Sequence, residues 1–156
     1  LYDEPFLVAV PASHALAKRK RISAEELKQE TMLLLGTGHC FRDHVLHVCP
    51  EFGRFASSGD GIHKSFEGSS LETIKHMVAA GIGVTLVPRL AVPTADAQGA
   101  DGLLRYLPVV DDHPGAAPPT RRVVLAWRRS FTRYEAIAAL RNAVYACALP
   151  GVQRLS

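Results

Sequence analysis

Two of the chain's three cysteines fall nine residues apart in the stretch GTGHCFRDHVLHVC (36–49), with three histidines, an arginine and an aspartate between or beside them. Thiols so placed can hold a metal, exchange electrons as a pair, or merely pack, and the helix that carries them decides among these. Gly36 and Gly38 end the preceding apolar run, so a helix is expected to begin near His39 or Cys40. A cysteine there sits at the positive end of the helix dipole, near exposed backbone N–H groups and close to Arg42, and each of these favours the thiolate. At about 100° per residue, Phe41, Val45, Val48 and Phe52 share one face, the one expected to pack inward, with Cys49 beside it. Cys40 falls on the opposite side, flanked by His44 and His47.

Nine helical steps set the two sulfurs about 180° apart and their Cα atoms roughly 13 Å apart along the axis. A disulfide needs Cα atoms within about 7 Å. The two cysteines therefore cannot bond while the helix is intact, and bonding requires it to unwind. Pro50 disfavours helical backbone at Cys49, which weakens the end that would have to let go. Such a segment has two exclusive arrangements, one held by apolar packing and the other by a covalent bond. Two other readings stand beside this one. His39, Cys40, His44, His47 and Cys49 are all acceptable zinc ligands, and Cys40 with His44 has the i, i+4 spacing that puts two ligands on one face, but Cys49 lies opposite them on a regular helix. Alternatively, Cys49 is a buried packing residue and Cys40 a surface one. Cys147, on or near the apolar stripe of the last helix, is given that packing role.

The elements that must position this segment read as α/β. Short Val- and Leu-rich runs alternate with amphipathic stretches, the pattern of a domain with a largely buried sheet. Strands are expected at PFLVAVP (5–11), TMLLLG (31–36), KSFEGS (64–69), VTLVP (84–88), LLRYLPVV (103–110) and RRVVLAWRR (121–129). Ser23 with Glu26 makes a capping box for a short helix over SAEELKQE, and Ser69 with Glu72 is expected to make another. The second box precedes LETIKHMVAAG (71–81), where Leu71, Ile74 and Val78 share a face and Gly81 is the stop. Residues 94–102 read as a surface loop and DDHPGAAPPT (111–120) as a linker. In the closing helix Tyr134, Ile137, Leu140 and Val144 form one apolar stripe. A lone strand and helix after a linker cannot bury their own apolar faces and need a partner sheet.

The 156 residues, 47% of them hydrophobic, suffice for one ordinary domain with a real core, which excludes intrinsic disorder. No run is long enough to span a bilayer and no targeting peptide is visible, so the chain reads as a fragment of something longer with no membrane partner. A net charge of +3 is too mild to argue for nucleic-acid binding. The one dense basic cluster, Lys18, Arg19, Lys20 and Arg21, reads as a solvated loop. An odd number of cysteines fits a reducing cytoplasm better than a secreted disulfide framework.

The stretch GHCFRD, with a second cysteine nine residues after the first, followed by SSLETIKHMVAAGIGVTLVP, resembles the regulatory domain of the OxyR family, the peroxide-sensing LysR-type transcription factors of bacteria. The likeness runs from about Pro5 to the final helix and includes RRVVLAW and RYEAI. The block VAAGIGVTLVP is shared widely among LysR-type effector domains; the cysteine spacing is the specific part. The resemblance implies a fold like type II periplasmic binding proteins, two α/β subdomains joined by two crossing strands, with PFLVAVP as the first crossing and RRVVLAW as the second. Residues 1–120 would then be the second regulatory subdomain with its hinge strand, and 121–156 the other hinge strand and the return to the first subdomain. The amino-terminal winged helix-turn-helix and most of the first subdomain would lie outside this chain. The resemblance also implies that Cys40 is the cysteine hydrogen peroxide oxidises and Cys49 the one that resolves it as a disulfide. His39, Arg42, Asp43 and Arg121 would support the peroxide pocket, with no cofactor and no metal. The implied partners are a second and further copies, as a dimer or tetramer, a glutaredoxin-type reductant, and DNA through the absent domain only. The protein would be a regulator, not an enzyme. A different class of reading makes it an effector domain in which Ser69, Ser70 and the following helix N-terminus bind a small organic anion while the cysteines stay passive. A metal-binding Cys/His module and turnover as a thiol peroxidase are the remaining alternatives.

Overall fold

A computed structural model of the chain describes residues 1–52, 65–92, 102–110 and 117–155, with the backbone alone described for Ser65 and Phe66. Most of the expected surface loop and the first part of the linker lie outside the described residues. The organising element is β1 (Tyr2–Pro11). Burial alternates over its first half, with Glu4 and Phe6 inside, and becomes continuous from Val8 to Pro11. A strand reads this way when it is covered on one face and then on both.

Along its buried half β1 pairs antiparallel with β5 (Thr85–Pro88) on one side and β6 (Leu104–Val110) on the other, so that Val8 stands between Leu86 and Leu107. The short β2 (Ile22–Ser23) extends β6 in parallel. Next to β5, β3 (Met32–Leu35) and β4 (Ser65–Gly68) form a parallel pair. The junction is a single bridge, Met32 to Val84, in which Leu33 N–H donates to Val84 O at 2.8 Å and Val84 N–H to Thr31 O at 2.9 Å. Gly83 permits that approach, since a Cβ there would stand 2.4 Å from Thr31 O.

The short α1 (Ala24–Leu27) opens on the expected capping box, with Ser23 Oγ accepting from Glu26 N–H and the Glu26 carboxylate from Ser23 N–H. Two longer helices follow, α2 (Cys40–Val48) and α3 (Leu71–Ala79). The cap of α3 differs from expectation by one residue. Ser70, not Ser69, is the cap, its Oγ accepting from Thr73 N–H at 3.1 Å, while Glu72 reaches Lys75 instead. With the helix starting at Leu71, the position a reciprocal carboxylate would need is held by Thr73. Ile74 and Val78 bury as expected, and Gly81 stops the chain with φ +81°. One apolar cluster, with Phe6, Val8, Val10, Leu34, Ile74 and Leu86 fully buried in it, joins the strands to α2 and α3.

The first half of β1 pairs with β7 (Thr120–Val123) and β8 (Gln153–Arg154). The strand expected over 121–129 stops at Val123 because its partner there is Tyr2, the first residue of β1. Val124 and Trp127 beyond it are 64% and 51% exposed. In α4 (Tyr134–Ala146) the expected apolar stripe forms, yet none of its residues is buried. No described helix is long and apolar enough to cross a membrane.

Candidate functional site

The turn before α2 passes through Gly38, whose φ of +95° suits glycine. His39 caps the helix with its backbone, Arg42 N–H donating to His39 O at 2.9 Å, and its side chain makes no capping bond. Cys40 is the first helical residue and is exposed, as are Asp43, His44 and His47. On the inner face Phe41, Val45 and Phe52 are buried and Val48 partly so, the face that the helical period predicts. Cys49 ends the helix with non-helical backbone (φ −129°, ψ 73°), as the following proline requires, while its N–H still reaches Val45 O at 2.9 Å. Its side chain is 0% exposed. Burial pushes the Cys49 thiol from its ordinary 9.0 up to about 12, the negative charge of Glu51 adding to the effect and Lys28 opposing it. Both cysteines are free thiols, one in solvent and one in the core.

Arg42 behaves differently from expectation. It is buried, and its guanidinium donates to Leu35 O at 2.9 Å and to the Glu67 carboxylate, tying the first turn of α2 to β3 and β4. Its charge is thereby matched by the Glu67 carboxylate. Arg121, from β7, approaches α2 from the other side. Its guanidinium carbon lies 5.6 Å from the centre of the Phe41 ring, within range of a cation–π contact. Phe41 in turn packs against Phe6 at 5.7 Å between ring centres and against His44 at 6.4 Å. The start of α2 thus gathers Cys40, Phe41, Arg42 and, through Phe41, Arg121. Cys49 is not part of that group. Among the described residues no three metal-ligating side chains come together.

Sequence reasoning missed four acidic or basic partners. Glu4 is fully buried in β1 and accepts from Arg121 Nε and from Leu90 N–H, each at 2.7 Å. Glu4 lies just before the strand expected from the sequence and next to a second acid, Asp3, so no local signal marks it. Glu67 pairs with Arg42 across 25 residues, and Lys28 with Glu51 at 3.0 Å; no sequence pattern announces either. A groove of about 490 Å³ opens between α1 and the outer face of α2, lined among others by Lys28, His44, His47 and Glu51. The basic cluster from Lys18 to Arg21 is exposed as expected, with Arg19 bonded to Glu26. Cys147 is not a core residue: it is exposed at the end of α4, its thiol donating to Ala143 O at 3.3 Å. Ser70 Oγ is engaged at its own helix cap.

Residues 1–146 match the family model described as the LysR substrate binding domain. The chain is 38% identical over 141 residues to the "DNA-binding transcriptional dual regulator OxyR" of Escherichia coli K12, covering 88% of this chain and 42% of that protein. It therefore spans less than half the length of this curated relative. Among solved structures, a reduced form of OxyR from N. meningitidis superposes with a TM-score of 0.84 at 37% identity, over 100% of this chain and 68% of that one. The reduced OxyR regulatory domain from Pseudomonas aeruginosa gives a TM-score of 0.74 at 41% identity, over 94% and 64%. The mixed α/β fold of the type II periplasmic-binding-protein kind, expected from the cysteine motif, is the fold shared here.

Proposed function

The chain belongs to the LysR substrate-binding domain family and, within it, to the OxyR regulatory domains, and from that premise we propose that it senses hydrogen peroxide through Cys40 and Cys49. The Cys40 thiolate attacks one peroxide oxygen; the O–O bond breaks, the sulfur is oxidised by two electrons to a sulfenic acid, and the departing hydroxide takes up a proton to become water. Cys49 then attacks the sulfenic sulfur. An S–S bond forms, the S–O bond breaks, and the hydroxyl leaves with the Cys49 proton as a second water. His39 and Asp43, exposed beside Cys40, and Arg121 behind Phe41 orient peroxide and the departing oxygen, while Arg42 holds the first turn in place. A glutaredoxin-type dithiol returns the pair to thiols, becoming a disulfide itself.

One observation carries this reading. The two thiols sit at opposite ends of a single helix, one open to solvent and the other sealed in the core with its pKa pushed up to about 12. The first step needs no rearrangement, and the second cannot occur until α2 leaves its place. In the whole protein, residues 1–120 act as the second regulatory subdomain and 121–156 return to the first. The released segment remodels the surface through which regulatory domains pair as dimers or tetramers, and DNA is met through an amino-terminal domain outside this chain. The setting is the bacterial cytoplasm, and the role is that of a regulator that reacts once per signal. Mass spectrometry after a brief peroxide pulse tests this: a Cys40–Cys49 link with Cys147 left as a thiol is expected. Modification of Cys147 with no such link overturns it.

A further inference from the structure

Release of α2 must break more than apolar contacts. Near its start the helix is tied to the sheet by Arg42, through Leu35 O and Glu67. Near its end the tie is Lys28, whose ammonium lies between the carboxylates of Glu25 and Glu51, the latter at 3.0 Å. Lys28 belongs to the fixed frame: it closes α1, which is held by its capping box, by the fully buried Leu27 and by the pairing of β2 with β6. Glu51 belongs to the moving part. It lies two residues past Cys49, inside a turn in which Phe52 N–H donates to Cys49 O at 3.3 Å. Cys49 cannot travel towards Cys40 without drawing Glu51 away from Lys28.

We propose that Lys28 is a positioning residue that latches the Cys49 end of α2 through Glu51 and so sets how fast the Cys40 sulfenic acid closes to the disulfide; this rests on the peroxide-sensing reading above. Lys28 and Glu51 are each 31% exposed, so their attraction is modest and screened by salt. Removing it is expected to speed closure by about two- to fivefold. The oxidation of Cys40 itself, at the other end of the helix, stays unchanged.

Two substitutions separate a latch from a mere tuning of the thiol. Glu51 raises the Cys49 pKa and Lys28 lowers it, so through the thiol alone Glu51→Gln and Lys28→Met would shift closure in opposite directions. A latch makes both faster. Rapid mixing with hydrogen peroxide, with quenching by a sulfenic-acid trap and a thiol alkylator, gives the two steps separately by mass spectrometry. The expected result is faster closure in both variants, an unchanged rate of sulfenic-acid formation, loss of the difference at high salt, and slow closure restored in the exchanged pair Lys28→Glu with Glu51→Lys. Closure at the parent rate in both variants, or shifts of opposite sign, overturns the latch and leaves peroxide sensing standing. Absence of any Cys40–Cys49 bond in every variant overturns the peroxide-sensing reading and the latch with it.

Discussion

At the start of α2, Cys40 faces solvent where the helix dipole is positive; at its end, Cys49 is closed off among Val45, Phe52 and the sheet, its proton held up to about 12. The two thiols share nine residues of helix and almost nothing of environment. Where a side chain falls on the helical turn accounts for the contrast: Cys40 lies away from Phe41 and Val45, and Cys49 lies beside their buried face. An exposed cysteine and a buried one are therefore written into one element, and on the proposed mechanism packing sets the order in which they react. The first needs access, and the second needs the helix to give way.

The sharpest way to break the contrast is to remove what seats the helix. Phe41 is 8% exposed between Phe6 and Arg121. Phe41→Ala is expected to cost about 3 kcal/mol or more in stability, read from urea midpoints, and to make Cys49 accessible in the folded protein. Next comes the contrast itself. In the reduced native chain, alkylation at Cys49 should run at least about a hundredfold slower than at Cys40, since it must await local opening, and the two rates should converge in urea. Comparable native rates would show that the helix end is not closed.

A pH series sharpens the same point. Folding raises the Cys49 pKa, so below its ordinary 9.0 the thiol is neutral in both states and contributes no pH dependence. As the pH rises from 9 towards about 12 the unfolded chain loses a proton that the fold retains, and stability falls by up to about 1.4 kcal/mol per pH unit. Comparison of the parent with Cys49→Ala between about pH 8 and 10.5 isolates that loss: the parent should decline more steeply. Smallest is the clamp at the other end. Glu67→Gln keeps an acceptor for the buried Arg42 beside Leu35 O but removes the matching negative charge, and is expected to cost about 1 kcal/mol.

Much of this arrangement is legible in the sequence because it depends on local periodicity. The period of α2 gives its inner face and the opposition of its cysteines, Pro50 gives the non-helical end, and Ser23 with Glu26 gives the start of α1. Local rules fail where two signals compete within a residue or two. Adjacent serines at 69 and 70 both suit a cap, and only the packing of Ile74 and Val78 fixes the start of α3 at Leu71. They fail again for Arg42, where the nearest negative charge comes from a strand 25 residues on, and for Lys28 with Glu51, brought together only once α1 and α2 are seated on one sheet. The end of β7 is also beyond local reading: the run of apolar residues continues past Val123, and the limit is the partner strand.

Amide hydrogen exchange over residues 40–52, compared before and after a peroxide pulse, tests most directly whether the cysteines can meet only by melting α2. In the reduced chain the Cys49 amide, bonded to Val45 O, should be protected; once the disulfide is present it and its helical neighbours should exchange freely, while β1, β5 and β6 keep their protection. A Cys40–Cys49 bond in a segment whose amides remain as protected as before would contradict the account.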